Sequence, residues 1–321
     1  MTAQANHLTI RPIAGPAELG LFTRLPYSLN SQLARDLAAG ARRPEWMWVA
    51  LRGDRLLARA AWWGRGGSGV PSLLDILDID DGPAGDTAAA VAAAARLLEA
   101  AMAAVLPAGA VPPEYLRAVP ADWRERPRSR RAVEDRMRAA EMTGARLLVE
   151  RLQLEWLPGT PLAAPSARLG FRPVRGQREL VALMTLVMAG TLDAHGRDDL
   201  ARMSHGRAAA KHYTGELVRY ESPHDWWRIA VLPGGEPVGF VIPAHNGCHP
   251  IIAYIGVVPA HRGNGYIDEL LAEGTRILAA QGVPRIRAST DLGNIPMASA
   301  FRRAGWAVLE HEIDMTWRVA R

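Results

Sequence analysis

The residues P-A-H-R-G-N-G-Y-I, from Pro259 to Ile267, form a glycine-rich turn between two segments of different periodicity. The segment before it, Ile251 to Val258, is apolar and rich in β-branched residues, which predicts a strand. The segment after it has apolar residues at helical spacing, which predicts a helix from about Tyr266 to Ala280. The first N–H groups of a helix have no partner within it, and the helix dipole adds partial positive charge. The turn therefore suits a pyrophosphate.

Such a turn is weak evidence by itself, since ordinary strand-to-helix connections use similar residues. Gly263 and Gly265 let the main chain approach a ligand, and Arg262 adds a cation. The neighbouring residues decide whether the turn binds a cofactor.

Two elements of the sequence occur in a recognisable order. The first is a strand ending in Val, a Pro two residues later, and Arg/Gln-x-x-Gly-x-Gly/Ala at a helix start. Its places are filled by Val257, Pro259, Arg262 and Gly265. The second is an Asn that begins a helix, an aromatic residue seven positions later, and then Gly plus an aromatic. Its places are filled by Asn294, Phe301, Gly305 and Trp306. With both elements, the sequence resembles the GNAT superfamily of acyl-CoA N-acyltransferases.

The resemblance implies that acetyl-CoA is a substrate and lies between the strand ending at Val258 and the strand ending near Ser289. Its pyrophosphate would bind the loop, and the last strand residues would pair with the pantetheine arm. The cofactor-binding residues so predicted are Val257, Val258, Arg262, Gly263, Asn264, Gly265, Tyr266, Ile267, Asn294 and Phe301. The family's main chain at this strand end also polarises the thioester carbonyl, and an acceptor amine attacks that carbonyl directly.

The sequence departs from the family at the residue that protonates the leaving thiolate. Many members have a tyrosine where this chain has Phe301, and phenylalanine has no proton to donate. Either solvent or another side chain supplies the proton. The candidates nearest in sequence are Tyr254, Tyr266 and Asp291, and we take Tyr254 and Asp291 as the predicted catalytic residues. Each has a structural alternative: Tyr254 as a sheet residue, Tyr266 as a surface or adenine-side contact, and Asp291 as a capping or turn residue. Ile267 also replaces the last small residue of the loop motif.

The chain contains an internal repeat. Leu8 to Leu19 matches Leu169 to Leu180 at an offset of 161 residues, and Gly144 to Trp156 matches Gly305 to Trp317 at the same offset. A proline-rich stretch from Pro158 to Ser166 marks the boundary. We therefore predict two domains, a degenerate GNAT-like domain over 1–160 and an acetyl-CoA binding, catalytic domain over 161–321.

The fold class predicted for each copy is α+β, a mixed and mainly antiparallel sheet flanked by helices. In the second copy, strands are expected over 169–174, 226–232, 237–243, 251–258 and 285–289, and a closing hairpin over 307–310 and 312–319. Helices are expected between 179 and 221, and over 266–280 and 296–304.

The first copy lacks the phosphate-binding residues. At an offset of 180, Gly82 stands in place of Arg262 and Asp81 in place of His261, although Gly85 matches Gly265. Asp80 and Asp86 add further negative charge, which would repel a pyrophosphate.

Composition limits the class of protein. The net charge of +5 is spread along the chain, with Lys211 the only lysine, which disfavours nucleic-acid binding. Cys248 is the single cysteine, so no internal disulfide forms, and no residue spacing indicates a metal site. The N-terminus has no signal-peptide pattern, and the alanine-rich run from Ala88 to Ala104 contains charged residues, so a cytoplasmic protein without a membrane span is expected.

The acceptor site of the family is built by the early helices, here Glu179 to Glu221. The polar residues of that segment that suit a cationic amine, or else form a solvated helix face, are Asp193, His195, Asp198, Asp199, Glu216 and Glu221.

The leading hypothesis is N-acetylation of a small amine. A non-catalytic acyl-CoA binding protein and a tRNA-dependent aminoacyl transferase stay open, as does the oligomeric state.

Overall fold

The computed structural model of the protein describes residues 7–82 and 86–319. The chain divides into two compact units. Unit 1 comprises Met1–Val149 and Glu312–Ala320, and unit 2 comprises Glu150–His311. The proline-rich stretch 158–166 lies within unit 2, and Gly85 lies outside the described residues.

Unit 1 is built on an antiparallel sheet that changes to a parallel pairing. Its strands are β1 (Leu8–Pro12), β2 (Met47–Arg52), β3 (Arg55–Trp63), β4 (Leu73–Ile79) and β5 (Tyr115–Pro120). Its helices are α1 (Leu19–Phe22), α2 (Leu33–Ala38), α3 (Thr87–Val105) and α4 (Pro127–Glu141). Strands β1 to β4 pair antiparallel in chain order, and β4 and β5 pair parallel.

Unit 2 repeats this order. Its strands are the larger part of β6 (Arg146–Trp156), β7 (Gly170–Pro173), β8 (Arg228–Val231), β9 (Pro237–His245), β10 (Pro250–Val257), β11 (Ile286–Asp291) and the first part of β12 (Ala307–Thr316). Its helices are α5 (Gln177–Val187), α6 (Ala194–Leu200), α7 (His205–Gly215), α8 (Tyr266–Ala279) and α9 (Ile295–Arg303). Strands β7 to β10 are antiparallel neighbours, and β10 and β11 pair parallel. The predicted α+β class and the duplication are confirmed.

The last strand of each repeat does not stay within one unit. Residues 150–156 of β6 belong to unit 2, where 151–156 pair antiparallel with β11. Residues 312–316 of β12 belong to unit 1, where they lie beside β5. Each unit therefore completes its sheet with residues from the end of the other repeat.

The predicted closing hairpin over 307–319 is wrong, because the structure has one continuous strand, β12. The residues at the expected turn are Glu310, His311 and Glu312, and none is the glycine, proline or asparagine that a tight turn needs. The extended backbone therefore continues through them.

The sheet of unit 2 carries a hydrophobic core on each face. Val241 of β9 packs on the side of α8, whereas its neighbours Phe240 and Ile242 pack on the side of α5 and α7, as the alternation of a strand requires. Helix α5 lies so close to β10 that a Cβ at Gly256 would stand 2.4 Å from Val187. A residue with no side chain is needed there.

One helix among the described residues, α3, is long and apolar enough to cross a membrane by length and composition. It contacts β1 to β4 and buries apolar residues such as Ala94, Leu97 and Leu98 in the core of unit 1. A core helix passes the same test.

Candidate active site

The site begins where two parallel strands separate. Strands β10 and β11 pair at Ile251 and Arg287. From there to the strand ends at Val257 and Asp291, the described residues form no further pair between the two strands. Between Ile252 and Tyr254 the pairing of β10 with β9 also shifts, which marks a bulge. Separated strands leave main-chain groups without a ladder partner, and an extended amide chain can pair with such an edge.

A cavity of about 900 Å³ opens at this separation and extends to the glycine-rich loop. Most of the predicted cofactor-binding residues line it, namely Val257, Arg262, Gly263, Gly265, Tyr266, Ile267, Asn294 and Phe301. The two sequence elements, which lie about thirty residues apart, therefore meet at one cavity.

The loop presents main-chain donors. Gly263 (φ 83°) and Gly265 (φ 74°) adopt the left-handed conformation that favours glycine. The N–H groups of Gly263, Asn264 and Gly265 donate no hydrogen bond within the described part of the chain, and all three residues are exposed. Helix α8 begins at the next residue, Tyr266, and adds its own unpaired N–H groups. This arrangement fits a pyrophosphate.

Carboxylates near the loop are neutralised by arginines. Asp268 and Glu269 stand in the first turn of α8. Asp268 pairs with Arg303 at 2.7 Å, and Glu269 pairs with Arg168. Their charge therefore opposes an incoming anion less than the sequence alone suggests.

The side chain of Arg262 holds the loop to helix α5. Its guanidinium donates to the carbonyl oxygens of Val187 at 2.7 Å, Ala189 at 2.9 Å and Val257 at 3.2 Å. The end of a helix offers unpaired carbonyls and partial negative charge, which an arginine satisfies. The structure thus gives Arg262 a positioning contact that the motif did not reveal, and its contact with phosphate stays a prediction.

Arg168 is a cation of the loop that sequence reasoning missed. It donates to the carbonyl of Asn264 at 3.0 Å, and its guanidinium carbon lies 5.1 Å from the centre of the Tyr266 ring. Arg168 stands 96 residues before Asn264 in the chain. No local pattern in the sequence indicates so distant a contact.

Two predicted cofactor residues lie outside the cavity lining. The N–H of Val258 donates to Val238 at 2.9 Å, and its carbonyl accepts from His261 at 2.9 Å, so both main-chain groups are already paired. The amide of Asn264 donates to the carbonyl of His261 at 3.1 Å and braces the loop. Of the two valines predicted at the strand end, Val257 lines the cavity.

The predicted catalytic residue Tyr254 lines the cavity. Its ring lies 4.7 Å from the ring of His212 and 5.1 Å from that of Phe240. Burial raises the pKa of the phenol, and the negative charge of Asp193 raises it further. Tyr254 therefore stays protonated and can donate a hydrogen bond.

The second predicted catalytic residue, Asp291, is absent from the cavity lining. Its carboxylate accepts a hydrogen bond from the N–H of Ala194 at 2.6 Å, at the start of α6, and lies 3.3 Å from Arg151. Burial raises the pKa of this carboxyl group, and repulsion from Asp193 adds to the shift. These contacts match the capping alternative for Asp291.

Phe301 occupies the position where many family members carry a tyrosine. Its ring is buried, lines the cavity and meets the Trp306 ring edge-on at 5.1 Å. Asn294 caps the start of α9, accepting from the N–H of Met297 at 3.4 Å. Both residues shape the cavity, and neither carries a proton donor for the sulfur.

Helices α6 and α7 supply a charged end to the cavity. Of the predicted acceptor residues, those that line it are Asp193, His195, Asp199 and Glu216. The side chain of Asp198 instead pairs with Arg202 at 2.9 Å. The cavity also contains Lys211, whose amine lies 2.6 Å from Asp199, and His212. His212 was missed, although its spacing of four residues from Glu216 on a helix is a detectable signal.

In the described ranges, no cluster of three or more acidic, histidine or cysteine residues has the arrangement of a metal site.

The corresponding separation in unit 1 is bridged by charged side chains. Strands β4 and β5 pair at Leu74 and Tyr115, and farther along Arg117 donates to the carbonyl of Leu77 at 3.1 Å. The same guanidinium lies 2.9 Å from the buried carboxylate of Asp78. Two further arginines, Arg59 and Arg136, lie within ion-pair distance of that carboxylate.

The acidic residues of the first copy were expected to repel a pyrophosphate, but in the structure they interact with neighbouring groups of unit 1. Asp80 pairs with Arg55 at 2.6 Å and Asp81 with Arg136 at 2.9 Å. Asp86 caps helix α3. Much of the negative charge that would oppose a pyrophosphate is therefore paired, and the side chains between β4 and β5 form the more direct obstacle.

Comparison with known proteins agrees with this geometry. A model of the acetyltransferase (GNAT) family matches residues 197–306. A mycothiol acetyltransferase of Arthrobacter sp. (strain FB24) is 31% identical over 129 residues, which cover 35% of this chain and 40% of that protein. A mycothiol acetyltransferase of Pseudarthrobacter chlorophenolicus is 31% identical over 184 residues, which cover 47% of this chain and 56% of that protein. The matched region thus spans about half the length of these relatives.

Solved structures share the fold over the whole chain. A GCN5-related N-acetyltransferase from Sphaerobacter thermophilus superposes with a TM-score of 0.60 at 18% identity, covering 98% of this chain and 97% of that one. A tandem GNAT protein from the clavulanic acid biosynthesis pathway superposes with a TM-score of 0.51 at 14% identity, covering 98% and 100%. At these identities the likeness concerns the fold.

Proposed function

We propose that this chain, whose residues 197–306 match a model of the acetyltransferase (GNAT) family, is an N-acetyltransferase that moves the acetyl group of acetyl-CoA to a primary amine of a small metabolite. The observation that carries the proposal is that one cavity contains the glycine-rich loop, the point where β10 separates from β11, and the charged residues of α6 and α7. A cofactor end and an acceptor end are both needed for direct transfer.

In this proposal, the pyrophosphate of acetyl-CoA accepts hydrogen bonds from the exposed N–H groups of the loop between Arg262 and Ile267. The pantetheine arm pairs with the free edge of β10 near Val257. Arg262 keeps the loop in place through the end of α5, and Arg168 adds positive charge at the loop's outer side. Unit 1 binds no acetyl-CoA, because Arg117 and Asp78 bridge its strands.

The reaction is a direct attack of the amine nitrogen on the thioester carbon. A C–N bond forms, the C–S bond breaks, and the sulfur of CoA leaves with the electron pair. The protonated Tyr254 phenol donates a hydrogen bond to that sulfur, a role that Phe301 has no group to perform. In this proposal Asp291 has a structural role at the start of α6, since its carboxylate accepts a hydrogen bond from the N–H of Ala194.

The name of the curated relatives makes an amine related to mycothiol the first acceptor to assay. The carboxylates of Asp193 and Glu216 support an acceptor that arrives as an ammonium ion. The exposed thiol of Cys248 fits a reducing compartment such as the cytoplasm.

Calorimetry with acetyl-CoA, desulfo-CoA and tRNA, followed by thiol release with a panel of amines, tests the function. We expect binding of both CoA forms, no binding of tRNA, and thiol release with at least one amine. Failure to bind any CoA would overturn the proposal. Binding without thiol release would favour a non-catalytic acyl-CoA binding protein, an alternative supported by Phe301.

A further inference from the structure

His212 lies at the acceptor end of the cavity with one ring nitrogen unused. The residue stands on α7 and lines the cavity, yet its Nε2 atom is buried and has no hydrogen-bond partner among the residues that the structure describes. Buried polar atoms in native proteins are nearly always paired, because an unpaired one costs free energy. An unpaired nitrogen beside a cavity is therefore a place where a ligand group can supply the missing partner.

Glu216 faces the other nitrogen of the same ring. Its Oε2 lies 3.7 Å from Nδ1 of His212, and its Oε1 accepts from the hydroxyl of Tyr220 at 2.7 Å. A carboxylate on the Nδ1 side favours the tautomer that carries its proton on Nδ1. That tautomer leaves the lone pair of Nε2 free to accept a proton, the arrangement of a carboxylate-oriented base.

His212 also lies beside the residue that faces the reacting bond in the proposed function. Its ring packs against the ring of Tyr254 at the bulge of β10, with 4.7 Å between the ring centres and a tilt of 47°. Asp193, which precedes α6, and Glu216 line the same cavity as Tyr254. Burial raises the pKa of Tyr254, and these two carboxylates raise it further while Arg262 lowers it. On the same helix, the Lys211 amine is held by Asp199 at 2.6 Å. The surroundings of His212 attract an ammonium group.

Building on the proposed function, we propose that His212 is the general base that takes a proton from the acceptor amine, and that Glu216 is a positioning residue for its ring. Nε2 of His212 first takes one proton from the ammonium group, which frees the electron pair of the nitrogen. That pair attacks the thioester carbon, the C–N bond forms and the C–S bond breaks. The second proton of the nitrogen goes to solvent, the sulfur takes a proton from solvent or from Tyr254, and His212 returns its proton to water.

The test compares three variants with a matched control. His212→Phe keeps an aromatic ring against Tyr254 but removes the base, His212→Asn keeps a polar side chain, and Glu216→Gln removes the orienting charge. The control is His224→Phe, because His224 also packs against an aromatic ring, stacking on Trp227 at 4.1 Å, but does not line the cavity. Measurements are thiol release with the best amine as a function of pH, and the Kd for acetyl-CoA by calorimetry.

Both His212 variants should lower kcat/KM for the amine by roughly 100- to 10,000-fold, the usual contribution of a general base. The acidic limb of the pH profile should disappear, and the Kd for acetyl-CoA should stay unchanged. Glu216→Gln should give a smaller loss in kcat and keep an acidic limb at a shifted pH. His224→Phe should behave as the wild type.

Retention of the wild-type kcat/KM and acidic limb by His212→Phe would overturn the inference, because the ring would then serve packing alone. Failure of the proposed function looks different, since the wild-type chain itself would bind no acetyl-CoA or release no thiol. That result would overturn both. A raised Kd for acetyl-CoA in the His212 variants, with the pH profile intact, would also overturn a role as base.

Discussion

The guanidinium of Arg262 donates a hydrogen bond to the main-chain carbonyl of Val187 at 2.7 Å, joining the glycine-rich loop to the end of helix α5. Val187 also packs against Gly256, where a Cβ would approach its side chain to 2.4 Å. The loop, α5 and β10 are thereby fixed to one another at the mouth of the cavity. A ligand that needs several N–H groups at once depends on this fixed geometry.

Replacement of Arg262 should weaken acetyl-CoA binding through loop position. In Arg262→Ala the carbonyls of Val187 and Ala189 lose their donor, and we expect the Kd for acetyl-CoA to rise about tenfold or more, as loss of a charge-assisted hydrogen bond allows. Arg262→Lys should give a smaller rise, because one ammonium cannot reach all the carbonyls. Arg219→Ala, at an exposed arginine outside the cavity, is the control. Calorimetry that shows equal affinity for all three variants would contradict the assignment.

A side chain at Gly265 should abolish acetyl-CoA binding. Gly265 has φ 74°, so a larger residue strains the backbone by about 1 kcal/mol, and an aspartate also places negative charge where the pyrophosphate would lie. The matched control is Gly282→Asp, because Gly282 has φ 68° and a Cβ there meets nothing within 4 Å. Both variants carry the same backbone strain. If Gly265→Asp and Gly282→Asp bind acetyl-CoA equally in calorimetry, the loop does not hold the phosphates.

The loop and helix α8 were predictable because their signals are local. A β-branched strand, two glycines and an amphipathic helix follow one another within thirty residues, and each limits the backbone where it stands. The side-chain environment was not predictable in the same way. Arg168 reaches Asn264 across 96 residues, and Asp291 turns to Ala194 because α6 begins beside it. Such contacts depend on packing that no short pattern encodes.

The exchange of strand ends between the repeats could not be read from the sequence either. The repeat ends at Trp156 and Trp317 look alike, but residues 151–156 pair with β11 in unit 2, and 312–316 belong to unit 1 with β5. The hydrophobic alternation of a strand tells which face is buried, not which sheet it joins. Only the contacts of the folded units decide that.

The ion cluster at Asp78 should dominate the stability of unit 1. Asp78 is fully buried with three arginines, Arg59, Arg117 and Arg136, within ion-pair distance. Asp78→Asn would leave these cations without their shared partner, and we expect a loss of about 3–5 kcal/mol in the free energy of unfolding. The control is Asp54→Asn at an exposed turn between β2 and β3. Urea unfolding followed by circular dichroism measures the difference, and equal midpoints for the two variants would contradict the prediction.

The same cluster predicts an acid dependence. Burial raises the pKa of Asp78, but the attraction of Arg117, Arg59 and Arg136 outweighs it and holds that pKa below its ordinary value. The unfolded chain therefore binds the proton at a higher pH than the folded chain does. The stabilisation is present above the ordinary pKa of an aspartate, about 4, and is lost as the pH falls towards the folded value. When the pH is lowered below about 4, the Tm of the wild type should decrease more steeply than that of Asp78→Asn.

Tyr254→Phe tests the proposed donor to the leaving sulfur. Loss of the hydroxyl should lower kcat by roughly 100-fold, the lower end of the contribution of a general acid, without changing the Kd for acetyl-CoA. Because burial and the charge of Asp193 raise the pKa of this phenol above its ordinary value near 10, the wild type should keep its donor through pH 9. Its kcat should therefore show no basic limb from a phenol below about pH 10. Tyr213→Phe, which removes the hydroxyl of a tyrosine that packs against Trp227 and does not line the cavity, is the comparison. An unchanged kcat in Tyr254→Phe would mean that solvent protonates the thiolate, and a limb near pH 8 that persists in this variant would belong to another group.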